Sequence, residues 1–422
     1  MSKKTLLTVV IILLGISLIG TSAVLLTSKA NKDPNEGGNS GGENPTQTKF
    51  DPNDGYNLKV IKELSKEENF LISPYSIEIA LNMLKEGAKG NTRAEIEKLV
   101  VTRDIKNIAS GDKISVANAM FIKDKFKNII EDKFTQTLKS KYSSDVLVDA
   151  FETPEVINNW VKENTKGMID KILDDMSKDF VLGIANAVAI DVEWESPFEC
   201  QNTRSAEFTK ADGTKMNVEM MHNTYSSSSY KYFKTDSATG VIIPYKSVEK
   251  EELEFVGILP NKDVKTYISK LSKDELDNID KNAKKATQDV QLSLSLPRFS
   301  YTYKVEKFIE NLQNLGIKEV FDKEKANLRN IITEENMAEN LYVAEAIHKA
   351  YIDLNEKGTK AAAVTYFGMD KNSAYIEAKY ENIEFNKPFM YIIRDKETKD
   401  IVFAGAVYTP NEWKGTTCEA DK

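Results

Sequence analysis

Between residues 180 and 194 the apolar side chains alternate in size. Phe180, Leu182, Ile184, Val188, Ile190, Val192 and Trp194 fall on one face, and Gly183, Ala185, Ala187 and Ala189 on the other. A period of two puts alternate residues on opposite faces, so the stretch predicts a strand whose small face lets another element pack closely over it. Asn186 interrupts the bulky face, and an amide buried there must be hydrogen-bonded. Further strands are predicted at 254–259, 290–297, 341–355, 389–394 and 400–407. Elsewhere a period near 3.6 takes over. Ser73-Pro74 offers a cap and a first-turn proline, the stripe Ile77, Ala80, Leu81, Leu84 follows, and Gly87 supplies a stop. Thr92 predicts the cap of a shorter helix running through Val100. Thr153-Pro154-Glu155 opens a helix carrying Ile157, Trp160 and Val161 and ending near Gly167. Val305, Phe308, Ile309, Leu312 and Leu315 stripe a fourth before Gly316. Strands in such numbers among scattered helices predict an α+β fold.

The stretch 356–365 has a different pattern. Thr359, Ala361, Ala363 and Thr365 alternate with the residues between them, and all four are small and uncharged. No proline occurs from Glu356 to Lys387, and a central strand cannot accept proline because the ring removes a ladder donor. Two readings fit. One is a small-residue loop joining two strands; the other is a strand-competent loop whose alternate residues can pass into a tightly packed interior.

Composition narrows the function classes. The chain has 422 residues, 41% hydrophobic and 29% charged, which describes a globular body with ample core. Its 57 basic and 65 acidic residues give a net charge of −8, with no basic domain to bind nucleic acid. Two cysteines, Cys200 and Cys418, allow at most one bridge, and with only His222 and His348 no histidine-rich metal site is expected. No metal and no cofactor is expected. Lys3 and Lys4 precede an uncharged apolar run at 6–26, about the length that crosses a bilayer. A retained membrane anchor and a signal cleaved near Ser28-Lys29-Ala30 both fit residues 1–30, and either exports the body. Residues 31–50, with Gly37-Gly-Asn-Ser-Gly-Gly42, read as a flexible linker, 51–412 as one domain and 413–422 as a tail.

Catalytic signatures are scarce: there is no Gly-x-Ser-x-Gly elbow, His-Glu-x-x-His or Walker loop. A Ser–His pair between Ser73 or Ser76 and His348 is conceivable, and hydrolysis is the third-ranked function. Ser73 fits a helix cap, however, and His348 lies in an apolar strand-like run. Glu249-Lys-Glu-Glu252 reads as a solvated turn, and Lys281-Asn-Ala-Lys-Lys285, the densest basic cluster, as a solvated face.

Several segments together resemble the serpins, the serine protease inhibitor family, in a prokaryotic-type member with an N-terminal signal or anchor. Asn69-Phe-Leu-Ile-Ser-Pro-Tyr-Ser-Ile77 is similar to the family's N-x-x-x-S-P-x-S-I segment. The 180–194 strand with Pro197-Phe198 is similar to a strand of its central sheet. Leu341-Tyr-Val-Ala-Glu-Ala-Ile-His-Lys-Ala350 and Asn355-Glu-Lys-Gly-Thr359 are similar to its hinge approach. Phe385-Asn-Lys-Pro-Phe389, Ile393-Arg-Asp395 and Phe403-x-Gly405 are similar to its C-terminal signature. The resemblance implies the serpin fold, with three β-sheets, about eight or nine helices and an exposed reactive-centre loop. It implies a suicide-substrate inhibitor, not an enzyme, which traps a serine protease, or a cysteine protease, as an acyl complex when the cut loop inserts into the central sheet. The alternative is a non-inhibitory serpin-fold binding protein or a cleavable substrate.

Carried onto this sequence, the resemblance puts the hinge at Glu356, Gly358 and Thr359 and the inward positions of the inserting strand at Ala361, Ala363 and Thr365. Ser73, Ser76, Asn186 and His348 match the cluster beneath the opening of the sheet, and Trp194 the tryptophan where the loop first enters. Lys360 replaces a usual glutamate, Asp191-Val192 a usual Lys-Gly and Ala406 a common arginine. Counting from the hinge puts the scissile bond at Asn372–Ser373, with Lys371 and Tyr375 as neighbouring candidates. Counting back from Phe385 gives Glu377. The expected partner is the protease, the expected state a monomer, secreted or held at the membrane by the N-terminal segment.

Overall fold

The computed structural model describes residues 54–100, 114–247, 252–333, 340–359 and 378–415. All described residues fall within one compact unit, Gln47–Lys422. The helices in chain order are α1 (Tyr56–Leu64), α2 (Pro74–Gly87), α3 (Gly90–Leu99), α4 (Asp132–Tyr142), α5 (Glu155–Asn164), α6 (Val264–Lys270), α7 (Lys273–Asn282) and α8 (Phe308–Asn314). The strands begin with β1 (Phe70–Ile72), β2 (Ile114–Lys123), β3 (Asp145–Asp149), β4 (Leu182–Ile190), β5 (Val192–Glu193) and β6 (Arg204–Thr209). They continue with β7 (Lys215–Tyr225), β8 (Lys231–Lys234), β9 (Ala238–Pro244), β10 (Leu253–Pro260), β11 (Lys284–Lys285) and β12 (Val290–Pro297). The last are β13 (Phe299–Lys304), β14 (Glu345–Asn355), β15 (Gly358–Thr359), β16 (Lys379–Glu384), β17 (Phe389–Asp395) and β18 (Ile401–Val407).

Three sheets result, so the fold is α+β as expected. The central sheet runs β3-β2-β4-β14-β15-β5, with β13 on the far side of β14. A core sheet runs β1-β18-β17-β10-β9-β8-β11, and a small sheet β16-β12-β7-β6. Helix α2 starts as its sequence predicts: the Ser73 hydroxyl accepts the Ser76 N–H at 3.1 Å and Pro74 occupies the first position. It is buried nearly all round because it touches β2 and β4 on one side and β18 on the other.

The small face of β4 does what its pattern requires. Ala185 and Ala187 pack with Ile157, Trp160 and Val161 of α5 in a separate apolar cluster, while Leu182, Ile184, Val188 and Ile190 join the main core. Several expectations need correction. Phe180 belongs to the small-face cluster, folded back over Gly183 where a side chain would collide with its ring, so it precedes the alternation. The predicted strand breaks at Asp191 into β4 and β5. Residues 341–344 approach β14 without joining a ladder. Val305 lies ahead of α8. Thr92 sits inside α3 and not at its cap. Its hydroxyl donates to Glu319 and accepts the Asn327 N–H, tertiary partners that the local pattern does not show. Cys200 is held in a disulfide, and Cys418 lies outside the described residues. Glu249-Lys-Glu does as well.

Candidate functional site

Strands β4 and β14 run parallel and pair directly, Gly183 opposite Glu345 through Ala189 opposite Tyr351. On one rung of this ladder His348 faces Asn186, and on the next strand Asn186 faces Asn118 of β2. All three are buried. The Asn186 amide donates to Asn118 Oδ1 at 2.5 Å and to the Ser76 hydroxyl, while its Oδ1 accepts from His348 Nδ1. His348 Nε2 accepts the backbone N–H of Ser73 at 3.1 Å. The Ser73 hydroxyl donates to the Val402 carbonyl of β18 at 2.7 Å. The four residues named from the sequence thus meet beneath one rung, and they satisfy one another as buried polar groups must. Asn118 completes them and was missed. Its signal was available, a lone amide in the apolar run of β2, the same oddity that singled out Asn186.

The geometry disposes of the hydrolytic pair. Both imidazole nitrogens are engaged, and neither touches a serine hydroxyl. Burial pulls the imidazole pKa down to about 3, so the neutral ring, protonated at Nδ1, is the form this network holds. Among the described residues no group of three or more His, Cys, Asp or Glu could hold a metal ion.

Above this rung the two strands part, and β15 occupies the gap. Gly358 and Thr359 pair antiparallel with Asn355 and Leu354 of β14 on one side and with Glu193 and Val192 of β5 on the other. The turn between β14 and β15 is pinned from several directions. Glu356 is buried, accepts from Thr203, and receives Arg298 Nε and Nη2 at 2.7 and 2.6 Å. The Arg298 guanidinium also reaches Glu219 at 3.5 Å. The Trp194 indole N–H donates to the Asn355 carbonyl at 3.0 Å, and its ring stacks on Tyr245 at 4.5 Å. The Tyr245 hydroxyl meets the fully buried Thr359 hydroxyl at 2.9 Å. Val192, part of the unusual Asp191-Val192 pair, lies opposite Thr359 in the ladder and is buried in the main core. Thr203, Glu219, Tyr245 and Arg298 escaped the sequence reading, since nothing in their own neighbourhoods sets them apart. Ala361, Ala363, Thr365, Lys371, Asn372, Ser373 and Tyr375 lie outside the described residues.

A family model described as Serpin (serine protease inhibitor) matches residues 53–410. The chain belongs to the serpin family, whose members usually inhibit proteases. It is 29% identical to mouse neuroserpin over 381 residues, 83% of this chain and 88% of that one. Among solved structures it is similar to the thermophilic serpin tengpin in its native state, with a TM-score of 0.72 and 32% identity over 84% of this chain and 92% of that one. Human thyroxine-binding globulin, solved with its thyroxine, shares the fold at a TM-score of 0.70 and 22% identity, covering 85% of this chain and 99% of the globulin.

Proposed function

We propose that this serpin is a suicide-substrate inhibitor of a serine protease, with a cysteine protease as the alternative target. The protease serine attacks the carbonyl of Asn372, the Ser373 amine leaves, and the acyl ester links the two proteins. Strand 358–372 then enters between β4 and β14, separating the ladder that the Asn186–His348 rung now closes. Gly358 and Thr359 act as hinge, Ala361, Ala363 and Thr365 as the residues small enough to pass inward, and Trp194 as the contact at the mouth.

The observation that carries this reading is the pairing of Gly358 and Thr359 between β14 and β5. It is antiparallel to β14, the direction that a strand returning from Asn355 must take. On this reading the two residues form the first rung of the inserted strand, and the chain beyond continues it by parting β4 from β14. A second reading is a binding or cleavable serpin-fold protein; thyroxine-binding globulin gives that fold a ligand-carrying precedent. We place the protein outside the cell, as a monomer exported by residues 1–30 and either secreted or held at the membrane by that segment, with 31–50 as the linker. Among the described residues no helix is long and apolar enough to cross a membrane, and the run at 6–26 lies outside them.

Incubation with a protease panel, read on a denaturing gel, tests the reading. A band of protein plus protease is expected with wild type. Thr359→Arg, which drives a charge against Tyr245, should give cut protein and free protease. Cutting without any resistant band in wild type sinks the inhibitor reading and leaves the cleavable-substrate one.

A further inference from the structure

Cys200 opens a short turn between β5 and β6 and is held in a disulfide. The chain's only other cysteine is Cys418, so a bridge within the chain joins these two. Cys200 is half-buried, with Glu199, Gln201 and Asn202 exposed around it, and a small reductant in solution can reach its sulfur.

Both ends of this turn grip the hinge. The Phe198 N–H donates to the Glu356 carbonyl at 2.8 Å, and the Thr203 hydroxyl donates to the Glu356 carboxylate. Between them the backbone closes on itself, with Asn202 N–H donating to the Glu199 carbonyl at 2.8 Å and Thr203 N–H to the Cys200 carbonyl at 3.0 Å. A shift at Cys200 therefore reaches Thr203, and through it Glu356. The C-terminal chain grips the other half of the same ion pair. The Asn411 N–H donates to the Arg298 carbonyl at 3.1 Å, and the Asn411 carbonyl accepts the Glu219 N–H at 3.3 Å. Glu412 then bridges to Val218, and the Trp413 N–H donates to the Asn217 carbonyl at 2.9 Å. Cys418 follows Gly415 by three positions, at most about 10–11 Å of chain. The turn thus holds Glu356 and the tail holds Arg298, whose guanidinium nitrogens lie 2.7 and 2.6 Å from the Glu356 carboxylate. A disulfide between turn and tail ties the two sides of that pair together.

We propose that the Cys200–Cys418 disulfide is a redox switch on the hinge. Oxidised, it keeps Glu356 against Arg298 and β15 in its place. Reduced, it lets the turn and the tail part, and β15 loosens. The reductant is an external dithiol. One of its thiolates attacks a bridge sulfur, the other cysteine leaves as a thiolate, and the second thiolate of the reductant resolves the mixed disulfide. Both electrons come from the dithiol, which ends as its own disulfide, and its two protons pass to the cysteine thiolates. Exposed bridges are the ones that such exchange reaches, and an oxidising exterior keeps this one closed. The loosening of the hinge needs no assumption about the loop, whereas its effect on trapping rests on the inhibitor reading.

The test compares the full chain, purified without reductant, with the same protein after dithiothreitol, its thiols alkylated and the reductant removed. Peptide mapping of the untreated protein should find Cys200 linked to Cys418. On reduction, amide exchange at residues 198–203 and 356–359 should quicken about tenfold while β10 and β17 keep their protection. Cys418→Ser should exchange at the faster rate with or without dithiothreitol. With a protease panel, reduction should lower the trapped fraction severalfold. Free thiols at both cysteines of the untreated protein overturn the switch. So does a disulfide-linked dimer, since Cys200 then serves a second copy. Exchange at the hinge that reduction leaves unchanged, or quickens evenly over the whole domain, overturns it too, and trapping by such a protein would leave the inhibitor reading intact. Hinge exchange that responds to reduction while no protease is trapped in either state keeps the switch and sinks the inhibitor reading.

Discussion

Gly358 sits where a side chain cannot. Its φ is +153°, and a Cβ would lie 2.1 Å from the Val192 carbonyl oxygen and 2.7 Å from Glu193 Cα, both backbone atoms that no rotamer change can move. Gly358→Ala should therefore unseat β15. The Thr359 amide would lose its protection against hydrogen exchange, and the trapped fraction would drop severalfold in favour of cut protein. Protection equal to wild type would contradict this. His348 gives a second prediction. Its pKa is about 3 in the fold against 6.5 when unfolded, because burial disfavours the imidazolium. The unfolded chain thus binds more protons between those values, and native stability must fall as pH drops from about 6.5 toward 3, with no contribution above 6.5. Unfolding rates measured across that range should rise on acidification, and His348→Gln should flatten the rise. Both residues were legible in the sequence, Gly358 by its motif and His348 as a polar group in an apolar strand. Tyr245 was not, because a tyrosine after a strand's last proline looks ordinary until Thr359 is folded against it.

At the scale of elements, the turn joining β14 to β15 depends on a charge that comes from elsewhere in the chain. Arg298, between β12 and β13, holds Glu356 and Glu219 at once. Its removal leaves two buried carboxylates without that guanidinium, and breaking a buried pair in this way costs about 3 kcal/mol. Arg298→Ala should accelerate unfolding accordingly and loosen residues 355–359 first, which hydrogen exchange would resolve. Exchange that speeds uniformly over the whole domain would count against a local role. The strands themselves were unevenly legible. β4, β10 and β17 carry dense apolar runs and β12 an apolar alternation, whereas β6 and β16 each bury a single side chain and read as polar loop. Edge position explains the difference, since an outer strand of a sheet with one wet side has little apolar pattern to show.

For the whole molecule, the inhibitor reading makes native stability a matter of barriers. The β4–β14 ladder is closed at the Asn186 rung and gives way to β15 beyond it, so on that reading further insertion must part paired strands. If so, cutting the loop releases the chain to a deeper minimum. Protein cleaved in the loop should melt well above intact protein in a calorimeter, and its unfolding rate should fall by orders of magnitude. Equal melting of the two forms would remove the metastable native state from the account.

The sequence alone determined what depends on short-range order: the cap and stripe of α2, the two-faced β4, the proline-free small alternation after Glu356, and the misplaced polarity of Asn186 and His348. These are consequences of local geometry, a period of two or 3.6 and the cost of burying an unpaired amide. Tertiary structure decided which distant residues share a rung. That Asn118 lies opposite Asn186, that Arg298 reaches Glu356, that Tyr245 receives Thr359 and that Phe180 leaves the bulky face all follow from pairing across separations of 50 residues or more, or from collision with a neighbour. Register between distant strands is set by the packing of every side chain at once, and no window of sequence contains it.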